Sequence, residues 1–192
     1  SSSSDVYGEP LESPQNELTT PLNSRLPYAI VKNLGESFLR AYNLKYNIPY
    51  TILRLFNTYG PNQNEDFVVT KFIQKSLKNK NLKIYGNGKQ TRSFIYIDDN
   101  INFTIKILEK KLFINDTVNL GNDHEISIIN LAKKIIKLTN SKSKIKFIKP
   151  LKEGDMKSRK PDITKMKKKY KTNLTLLDDG LKKTILNINS ND

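Results

Sequence analysis

Tyr28 and Lys32, four residues apart in the segment YAIVK, are the side chains whose types and spacing best suit catalysis in this sequence. On a helix, this spacing brings a phenol and an ammonium onto one face, within reach of a common ligand. A nearby ammonium favours the phenolate, so Tyr28 could serve as a general base toward a sugar or alcohol hydroxyl. Because such pairs also arise by chance in many helices, the motif needs support from other segments.

Local patterns predict the elements that hold this pair. Pro27 is placed to open a helix, and apolar residues recur at helical spacing from there to about Tyr46. The β-branched and aromatic run at 48–56 then predicts a parallel strand that is buried on both faces. A helix followed by such a strand indicates an α/β fold.

Short strands and helices are predicted along the rest of the chain. Strands are expected at 82–85, 93–97 and 117–120. Asp98 or Asp99 is expected to cap a helix that runs to about Lys111. Ser127 is expected to cap the next helix. Helices are expected at 128–138, 163–169 and 177–186.

Composition excludes several classes of protein. The chain has 192 residues, no Cys and a single His. It therefore offers no disulfide framework, no thiol nucleophile and no multi-histidine centre, and we predict no metal. It lacks the roughly 20 consecutive apolar residues of a membrane-spanning helix and the pattern of a signal peptide. We therefore predict a cytoplasmic protein that has no membrane partner.

A net charge of +14 is typical of nucleic-acid binders. The run KMKKKYK at 165–171 could attract phosphate groups, but a solvated helix face is the simpler interpretation. Tyr170 is the only aromatic residue in this run, whereas single-stranded nucleic acid is usually bound by several stacked aromatics. We predict no nucleic-acid partner, and a basic binding module remains a rival hypothesis.

Five segments support the catalytic interpretation by their order along the chain: SSSSDVYG at 1–8, YAIVK at 28–32, RLFNTYGP at 54–61, YGNGKQTRSFIYIDD at 85–99 and RKPDI at 159–163. With these motifs, the sequence from residue 1 to about 185 resembles the extended short-chain dehydrogenase/reductase family. The resemblance is closest to its NAD-dependent nucleotide-sugar epimerases, dehydratases and decarboxylases. It implies an α/β fold, with part of a Rossmann-like, doubly wound parallel sheet and a smaller α+β substrate-binding region.

The resemblance implies a role for each catalytic candidate. Ser3 matches a Ser or Thr that hydrogen-bonds the hydroxyl at sugar C4, and Tyr28 matches the base that removes its proton. Lys32 matches the residue that holds the nicotinamide ribose of the NAD cofactor. Asp5 stands where the family's decarboxylases and dehydratases carry an acidic residue. Loss of the proton and of a hydride gives a 4-keto sugar, and NAD supplies the hydride chemistry.

For the nucleotide-sugar substrate, the resemblance points to further residues. Arg92 and Arg159 match two arginines that clamp the pyrophosphate, whose oxygens suit the planar fork of a guanidinium. Asn57 matches a residue that binds phosphate or sugar, although it could be only a turn residue. Ile84 and Tyr85 fall where the family lines the pocket for base and ribose, although both could belong to an ordinary strand.

Two regions are predicted. Residues 1–60 would be the C-terminal part of an NAD-binding Rossmann domain, with the catalytic Ser and the Tyr-x-x-x-Lys motif. Residues 61–192 would mainly bind the nucleotide sugar, with some strands and helices returning to the Rossmann sheet. No turn of the form G-x-x-G-x-x-G is present, so roughly the first third of a complete member is expected to lie outside this sequence. We expect poor NAD affinity for the chain alone, and a homodimer for the full-length parent.

The residues after Ser3 bear on which reaction is catalysed. The family's dehydratases expel a C6 hydroxyl with an Asp-Glu pair, and this chain has Ser4 and Asp5 at those two positions. The two residues are more similar to the Ser-Glu pair of the family's UDP-glucuronate decarboxylases. Epimerases tolerate neutral residues there, because rotation of the keto sugar needs no second acid. We therefore rank a nucleotide-sugar epimerase first, with a decarboxylase or 4,6-dehydratase as alternatives. An inactive remnant is a further hypothesis.

Overall fold

The computed structural model describes residues 1–9, 11–150, 156–171 and 173–191. Its strands are β1 (Ser2–Ser3), β2 (Thr51–Leu55), β3 (Thr58–Tyr59), β4 (Leu82–Tyr85), β5 (Thr91–Ser93), β6 (Ile95–Tyr96), β7 (Asp116–Leu120), β8 (Glu125–Ser127) and β9 (Ile145–Ile148). Its α-helices are α1 (Pro27–Tyr46), α2 (Val68–Leu77), α3 (Ile97–Glu109), α4 (Ile128–Leu138), α5 (Thr164–Lys169) and α6 (Leu177–Asn191). None of these helices, within the described ranges, is long and apolar enough to cross a membrane.

The main sheet has the strand order β1-β2-β7, and both of its strand pairs are parallel. Its central strand, β2, is the parallel strand that the run at 48–56 predicts, although it begins only at Thr51. The outer strand β7 comes from far along the chain, so the region after residue 60 returns to the main sheet. The α/β fold class is as predicted.

Helix α1 connects β1 to β2 and has the bounds that the sequence predicts. Pro27 lies in its first turn, where a missing N–H costs no helical hydrogen bond, and Asn47 ends it with a left-handed backbone (φ 53°). Ala29 and Glu36 are the buried residues of this helix. Large apolar side chains on the helix stay exposed: Val31, Leu34, Phe38, Leu39 and Tyr42.

A buried ionic network fastens α1 to the main sheet. The Glu36 carboxylate accepts hydrogen bonds from Arg54 Nε (2.9 Å), Arg54 Nη2 (2.8 Å) and Ser2 Oγ (2.6 Å). Arg54 Nη1 donates to Tyr7 Oη (2.9 Å), and the Tyr7 hydroxyl donates to Asn119 Oδ1 (2.7 Å). All three strands of the main sheet therefore meet one polar cluster under α1.

Burial and pairing set the charge states in this network. Burial disfavours the charged form of Glu36, but hydrogen bonds from Arg54 and Ser2 and the Arg54 charge outweigh it, so the pKa of Glu36 lies below its ordinary value. Burial would lower the pKa of Arg54, but the partners Glu36 and Tyr7 raise it. Burial raises the pKa of Tyr7. The network is therefore an ion pair with a neutral phenol at neutral pH.

Short two-stranded pairs lie outside the main sheet. β4 pairs with β9 and β3 with β6, both in parallel, and β5 pairs with β8 antiparallel. The single strand predicted at 93–97 is wrong, because β5 ends at Ser93 and the chain pairs with β3 only from Ile95. Helix α2 and strands β3, β8 and β9 have no counterpart among the predicted elements.

Three buried clusters lie among the described residues, and the two larger ones pack the helices against the strands. In the first, α2, α4 and β4 pack through Phe72, Leu131 and Leu82. In the second, α3 packs against α5 and β7, and the Phe103 ring lies 5.0 Å from the ring of Tyr170, measured between centroids. Burying a side chain of this size contributes about 1.5–3 kcal/mol.

Neither Asp98 nor Asp99 caps α3, contrary to the prediction. The helix begins at Ile97, and both aspartates lie within its first turn. Their negative charges interact favourably there with the positive end of the helix dipole. The Asp99 carboxylate accepts hydrogen bonds from the Thr175 N–H (2.8 Å) and hydroxyl (3.2 Å), which holds the segment before α6. Ser127 does cap α4, as predicted.

Two helical glycines give a matched pair of stability predictions. A Cβ at Gly35 in α1 meets no heavy atom within 4 Å, so Gly35→Ala should stabilise the chain by up to about 1 kcal/mol through helix propensity. A Cβ at Gly180 in α6 would overlap the Tyr59 hydroxyl, so Gly180→Ala should destabilise the chain by about 1–3 kcal/mol. Urea unfolding followed by circular dichroism measures both. A destabilised Gly35→Ala protein would contradict the open surroundings of Gly35.

Candidate active site

Ser3 and Asp5 form a tight turn at the carboxyl end of β1. Ser3 Oγ accepts a hydrogen bond from the Asp5 N–H (3.1 Å) and donates one to Asp5 Oδ2 (3.1 Å). The serine thereby caps the short 3₁₀ turn at Ser4–Tyr7. Open α/β sheets bind ligands at the carboxyl ends of their strands, so this turn lies where a site is expected.

Arg159, which is distant in sequence, contacts this turn. Its Nη2 lies 2.7 Å from Asp5 Oδ1 in an ion pair and 2.9 Å from Met156 Sδ. Its Nε is buried and finds no hydrogen-bond acceptor in the described part of the chain. Both Asp5 oxygens are engaged, whereas Arg159 retains a buried N–H for an external acceptor.

Arg92 lies next to Arg159, because both arginines contact Met156. Arg92 Nη1 donates to the carbonyls of Met156 (2.8 Å) and Thr91 (2.7 Å), and Arg159 contacts the Met156 sulfur. The two arginines that the sequence predicts as a phosphate clamp are therefore brought together. Their planar forks suit phosphate oxygens better than lysine ammonium groups would.

Asn57 follows β2 and forms hydrogen bonds with the residues that follow Arg92. Its Nδ2 donates to the Ser93 carbonyl (3.0 Å), and its carbonyl accepts from the Ile95 N–H (3.0 Å). The Ser93 N–H and hydroxyl each lie 3.4 Å from the Arg159 carbonyl. Because the side-chain nitrogen of Asn57 binds inside the protein, its Oδ1 is the side-chain atom that could contact a ligand.

Tyr28 and Lys32 lie on one face of α1, as predicted. Lys32 Nζ donates to the Ser1 carbonyl (3.0 Å) and lies 5.8 Å from the centroid of the Tyr28 ring. Tyr28 is 56% exposed, so its ring is not packed into the interior. Among the described residues, no hydrogen bond joins Tyr28 or Lys32 to Ser3, but α1 packs against both β1 and the 3₁₀ turn at Ser4–Tyr7.

A cavity of ≈ 540 Å³ lies next to the chain segments that carry Arg92 and Arg159. Its lining includes Tyr85, Lys89 and Lys157. Tyr85 is 45% exposed, whereas Ile84 is 1% exposed and packs in the first core cluster. Successive residues of a strand point to opposite faces, so Ile84 and Tyr85 cannot both line one pocket with their side chains. The pairing predicted for these two residues is therefore corrected: the side chain of Ile84 belongs to the core.

Positive charge gathers between the Ser3 turn and the cavity. Arg92 and Arg159 contact Met156, and Lys157 follows it directly in the chain and lines the cavity. Cations grouped in this way neutralise an organic diphosphate. Within the described ranges, no group of three or more His, Cys, Asp or Glu residues could hold a metal ion.

Family membership follows from comparison with known proteins. The model of the NAD dependent epimerase/dehydratase family matches residues 1–121. The chain belongs to this family. The matched range contains the Ser3 turn, the Tyr28 and Lys32 pair, and Arg92. The predicted family is thereby confirmed, and with it the NAD dependence that the family name states.

Two curated members of the epimerase/dehydratase family align with most of this chain. UDP-glucuronic acid decarboxylase 1 of Xenopus tropicalis is 35% identical over 191 residues, which cover 96% of this chain and 45% of that protein. UDP-N-acetyl-alpha-D-glucosaminuronate decarboxylase of Bacillus cytotoxicus is 36% identical over 198 residues, covering 96% and 61%. The chain therefore spans about half the length of these relatives.

A solved structure of the same family shares the fold. It is a tyrosine-to-phenylalanine variant of Bacillus cereus UDP-glucuronic acid 4-epimerase in complex with UDP-4-deoxy-4-fluoro-glucuronic acid and NAD. The TM-score is 0.91 and the identity 33%, and the match covers 100% of this chain and 60% of that one. The predicted Rossmann-like fold is confirmed.

Sequence reasoning missed several residues that build the site. Met156 and Ser93 act through a backbone carbonyl, a thioether and a hydroxyl, and nothing in their sequence context marks them. Lys157 could not be told from the many other lysines. Glu36 could have been found, because it continues the four-residue spacing of Tyr28 and Lys32 on the same helix.

Proposed function

We propose that this chain supplies the catalytic and nucleotide-sugar-binding parts of an NAD-dependent enzyme that decarboxylates a UDP-uronic acid. The observation that carries this proposal is the series of contacts from Ser3 through Asp5, Arg159 and Met156 to Arg92, beside a lysine-lined cavity. Ser3 offers a hydroxyl to a sugar, Arg159 and Arg92 offer cations to a diphosphate, and the cavity offers space for a nucleoside.

Each group of the substrate has a partner in this proposal. The base and ribose lie in the ≈ 540 Å³ cavity against Tyr85. The diphosphate lies on Arg92 and Arg159, where the buried Arg159 Nε–H gains the acceptor that it lacks within the described residues. Asn57 Oδ1 is available to a sugar hydroxyl. Asp5 Oδ1 holds the Arg159 guanidinium in position, and Asp5 Oδ2 accepts the Ser3 hydroxyl until the sugar takes its place.

Tyr28 and Ser3 carry the first chemical step. Ser3 Oγ–H turns from Asp5 to the C4 oxygen of the sugar, and the Tyr28 phenolate takes the proton from that oxygen as hydride leaves C4. Lys32 Nζ lies 5.8 Å from the centroid of the Tyr28 ring, so a positive charge stands beside the proposed base. The resulting 4-keto uronic acid is a β-keto acid, so its C5–C6 bond breaks with loss of carbon dioxide. The electron pair moves to the C4 oxygen, and a proton is taken up at C5.

Tyr28 and Lys32, near the start of β1, are suited to hold the nicotinamide ribose of NAD. Tyr28 is exposed, and Lys32 lines a cavity of ≈ 380 Å³ together with Ser1 and Ser2, so Lys32 could donate an N–H to the nicotinamide ribose and the Tyr28 oxygen could accept one of its hydroxyls. NAD, when bound, accepts the hydride from C4 and returns it after carbon dioxide has left. The chain's own residues orient the sugar and move the proton at its C4 oxygen.

Similar proteins favour a uronic acid over a neutral sugar. Both curated relatives are decarboxylases of UDP-uronic acids, and the solved neighbour is a UDP-glucuronic acid epimerase. Epimerisation at C4, which the sequence ranks first, remains the second candidate because of that neighbour. Both reactions proceed through the same 4-keto uronic acid, and they differ in whether the carboxylate leaves before hydride returns.

Product analysis tests the proposed function. We would join this chain to the part of the Bacillus cereus epimerase that has no counterpart here, and incubate the chimaera with UDP-glucuronic acid and NAD. Decarboxylation gives a product that is lighter by carbon dioxide, whereas epimerisation leaves the mass unchanged. UDP-glucose serves as the neutral control. A folded chimaera that binds NAD but turns over neither sugar would exclude the proposal.

Arg159 gives a separate prediction on binding. Loss of charge-assisted hydrogen bonds to a diphosphate costs about 1.5–3 kcal/mol, so Arg159→Ala should weaken UDP binding by about 10- to 100-fold. Titration calorimetry with UDP measures this, and Arg25→Ala is the control, because Arg25 is exposed and its side chain forms one hydrogen bond among the described residues, to Asn23 (3.4 Å). An unchanged affinity for UDP, with weaker binding of UDP-glucuronic acid alone, would assign Arg159 to the sugar carboxylate instead.

A further inference from the structure

One carboxylate oxygen contacts both chain segments that carry the paired arginines. Glu125 Oε1, in β8, accepts hydrogen bonds from the Thr91 hydroxyl (2.7 Å) and the Ser158 hydroxyl (2.7 Å). Thr91 directly precedes Arg92 in the chain, and Ser158 directly precedes Arg159. A single oxygen of Glu125 therefore joins the neighbours of both arginines.

Backbone hydrogen bonds hold the same two segments side by side. The Thr91 N–H donates to the Lys157 carbonyl (3.0 Å), which places one edge of β5 against the segment that contains Ser158. Alternate residues of a strand direct their N–H groups to opposite edges, so β8 pairs with β5 along the other edge. The side chain of Glu125 therefore reaches from β8 across β5 to Ser158.

The hydrogen bonds of Glu125 lie on the face of β5 that is away from the Arg92 side chain. Successive side chains of a strand point to opposite faces, so the Thr91 hydroxyl and the Arg92 guanidinium lie on opposite faces of β5. The Glu125 side chain is 28% exposed, and its Oε2 lies 3.9 Å from Lys160 Nζ, beyond hydrogen-bond distance. Glu125 can therefore support the arginines without occupying the face on which Arg92 lies.

The charge and the hydrogen bonds of Glu125 have opposite effects on a bound diphosphate. A carboxylate beside the segments of Arg92 and Arg159 repels an anionic ligand that binds to these arginines. Loss of the charge alone would therefore strengthen the binding of a diphosphate. Loss of the two hydrogen bonds would weaken it, because the guanidinium groups would no longer be held ready at a fixed spacing. The sign of the change in affinity distinguishes the two effects.

We infer that Glu125 is a positioning residue of the nucleotide-sugar site, which acts by fixing the spacing of the two arginines. It holds Thr91 and Ser158 against one oxygen, so the arginines that follow them approach a ligand from set positions. Glu125 itself contacts neither substrate nor cofactor. Affinity for the diphosphate of the substrate, but not for its nucleoside, therefore depends on Glu125. The inference rests on the proposed function, from which it takes the diphosphate on the two arginines.

Titration calorimetry of the 192-residue chain with UDP and with uridine tests the inference. Glu125→Ala should weaken UDP binding by about 3- to 10-fold, the effect of losing roughly one net hydrogen bond. Uridine has no phosphate, so its affinity should not change. Glu125→Gln removes the charge but keeps an oxygen that accepts both hydroxyls, so its affinity for UDP should equal or exceed that of the parent. An affinity for UDP that rises in Glu125→Ala would overturn the inference, because the charge alone would then matter.

Asp123→Ala is the matched control for Glu125→Ala. Asp123 lies two residues before Glu125, its side chain is 35% exposed, and it pairs with Lys167 (2.7 Å). The two substitutions change the net charge equally, but only Glu125→Ala removes the bonds to the arginine segments, so Asp123→Ala should not weaken UDP binding. Equal weakening by Asp123→Ala would overturn the inference. Equal loss of uridine and UDP affinity in Glu125→Ala would also overturn it, since the whole site would then have been disturbed.

Variants of the two hydroxyl residues test whether they act through Glu125. Thr91→Val and Ser158→Ala should each weaken UDP binding less than Glu125→Ala does, and neither should have a further effect in a chain that carries Glu125→Ala. Fully additive losses would overturn the inference. A parent chain that binds no UDP would overturn it as well, because there would be no diphosphate to position. UDP binding that depends on Glu125, together with a chimaera that turns over neither sugar, would reject the proposed function alone.

Discussion

Glu36→Gln is expected to lower the free energy of unfolding by about 3–5 kcal/mol, because it leaves the buried Arg54 charge without its carboxylate partner. The side chain of Arg54 is 3% exposed in this pair and that of Glu36 1%. The lost bond from Ser2 also loosens β1, the strand that ends at Ser3. Urea unfolding followed by circular dichroism measures the change.

Arg40→Ala is the matched control for Glu36→Gln. Arg40 also binds the Glu36 carboxylate (3.1 Å), but its side chain is 41% exposed, so water can replace it and the cost should stay below about 1 kcal/mol. Equal destabilisation by the two substitutions would mean that burial of the Arg54 charge does not govern the network. A Glu36→Gln protein as stable as the parent would show that Arg54 finds another partner.

The same network predicts how stability depends on pH. The pKa of Glu36 is lower in the folded chain than in the unfolded one, so its contribution is fully present above the unfolded value of about 4.3. It is lost as the pH falls through the folded value. The difference in stability between the parent and Glu36→Gln should therefore narrow as the pH falls below about 4. A difference that stays constant down to pH 3 would contradict the lowered pKa.

Local features of the sequence predicted the main helix and the central strand. Pro27 and the apolar periodicity of α1 act within a few residues of each other, so the helix bounds could be derived without tertiary information. The break between β5 and β6 could not, because it depends on Ser93 facing Arg159 and Ile95 facing Asn57. Those partners are distant in sequence and are defined only by the fold.

The candidate site was predictable to a similar extent. Tyr28 and Lys32 share a face because helical spacing alone requires it. The ion pair of Asp5 with Arg159 joins residues that are distant in sequence, and no local pattern could reveal it. The error at Ile84 had a signal in the sequence, since the alternation of strand residues forbids Ile84 and Tyr85 from sharing a face.

Tyr28→Phe in the chimaera should lower kcat by about 100- to 10,000-fold, the usual contribution of a general base. Substrate affinity should change little, because the diphosphate and the nucleoside are held by other residues. A tyrosine-to-phenylalanine variant of the Bacillus cereus epimerase holds both a UDP-sugar analogue and NAD. Steady-state kinetics with UDP-glucuronic acid, together with calorimetry, separate the two effects.

Tyr46→Phe provides the matched control for Tyr28→Phe. Tyr46 lies at the other end of α1 and is 55% exposed, close to the 56% of Tyr28, so the same hydroxyl is removed from the same helix at similar exposure. A general loss of helix stability would affect both variants, whereas loss of a base affects only Tyr28→Phe. If both variants kept full activity, the proton would have to leave the C4 hydroxyl by another route, and Ser3 would be the next hydroxyl to replace.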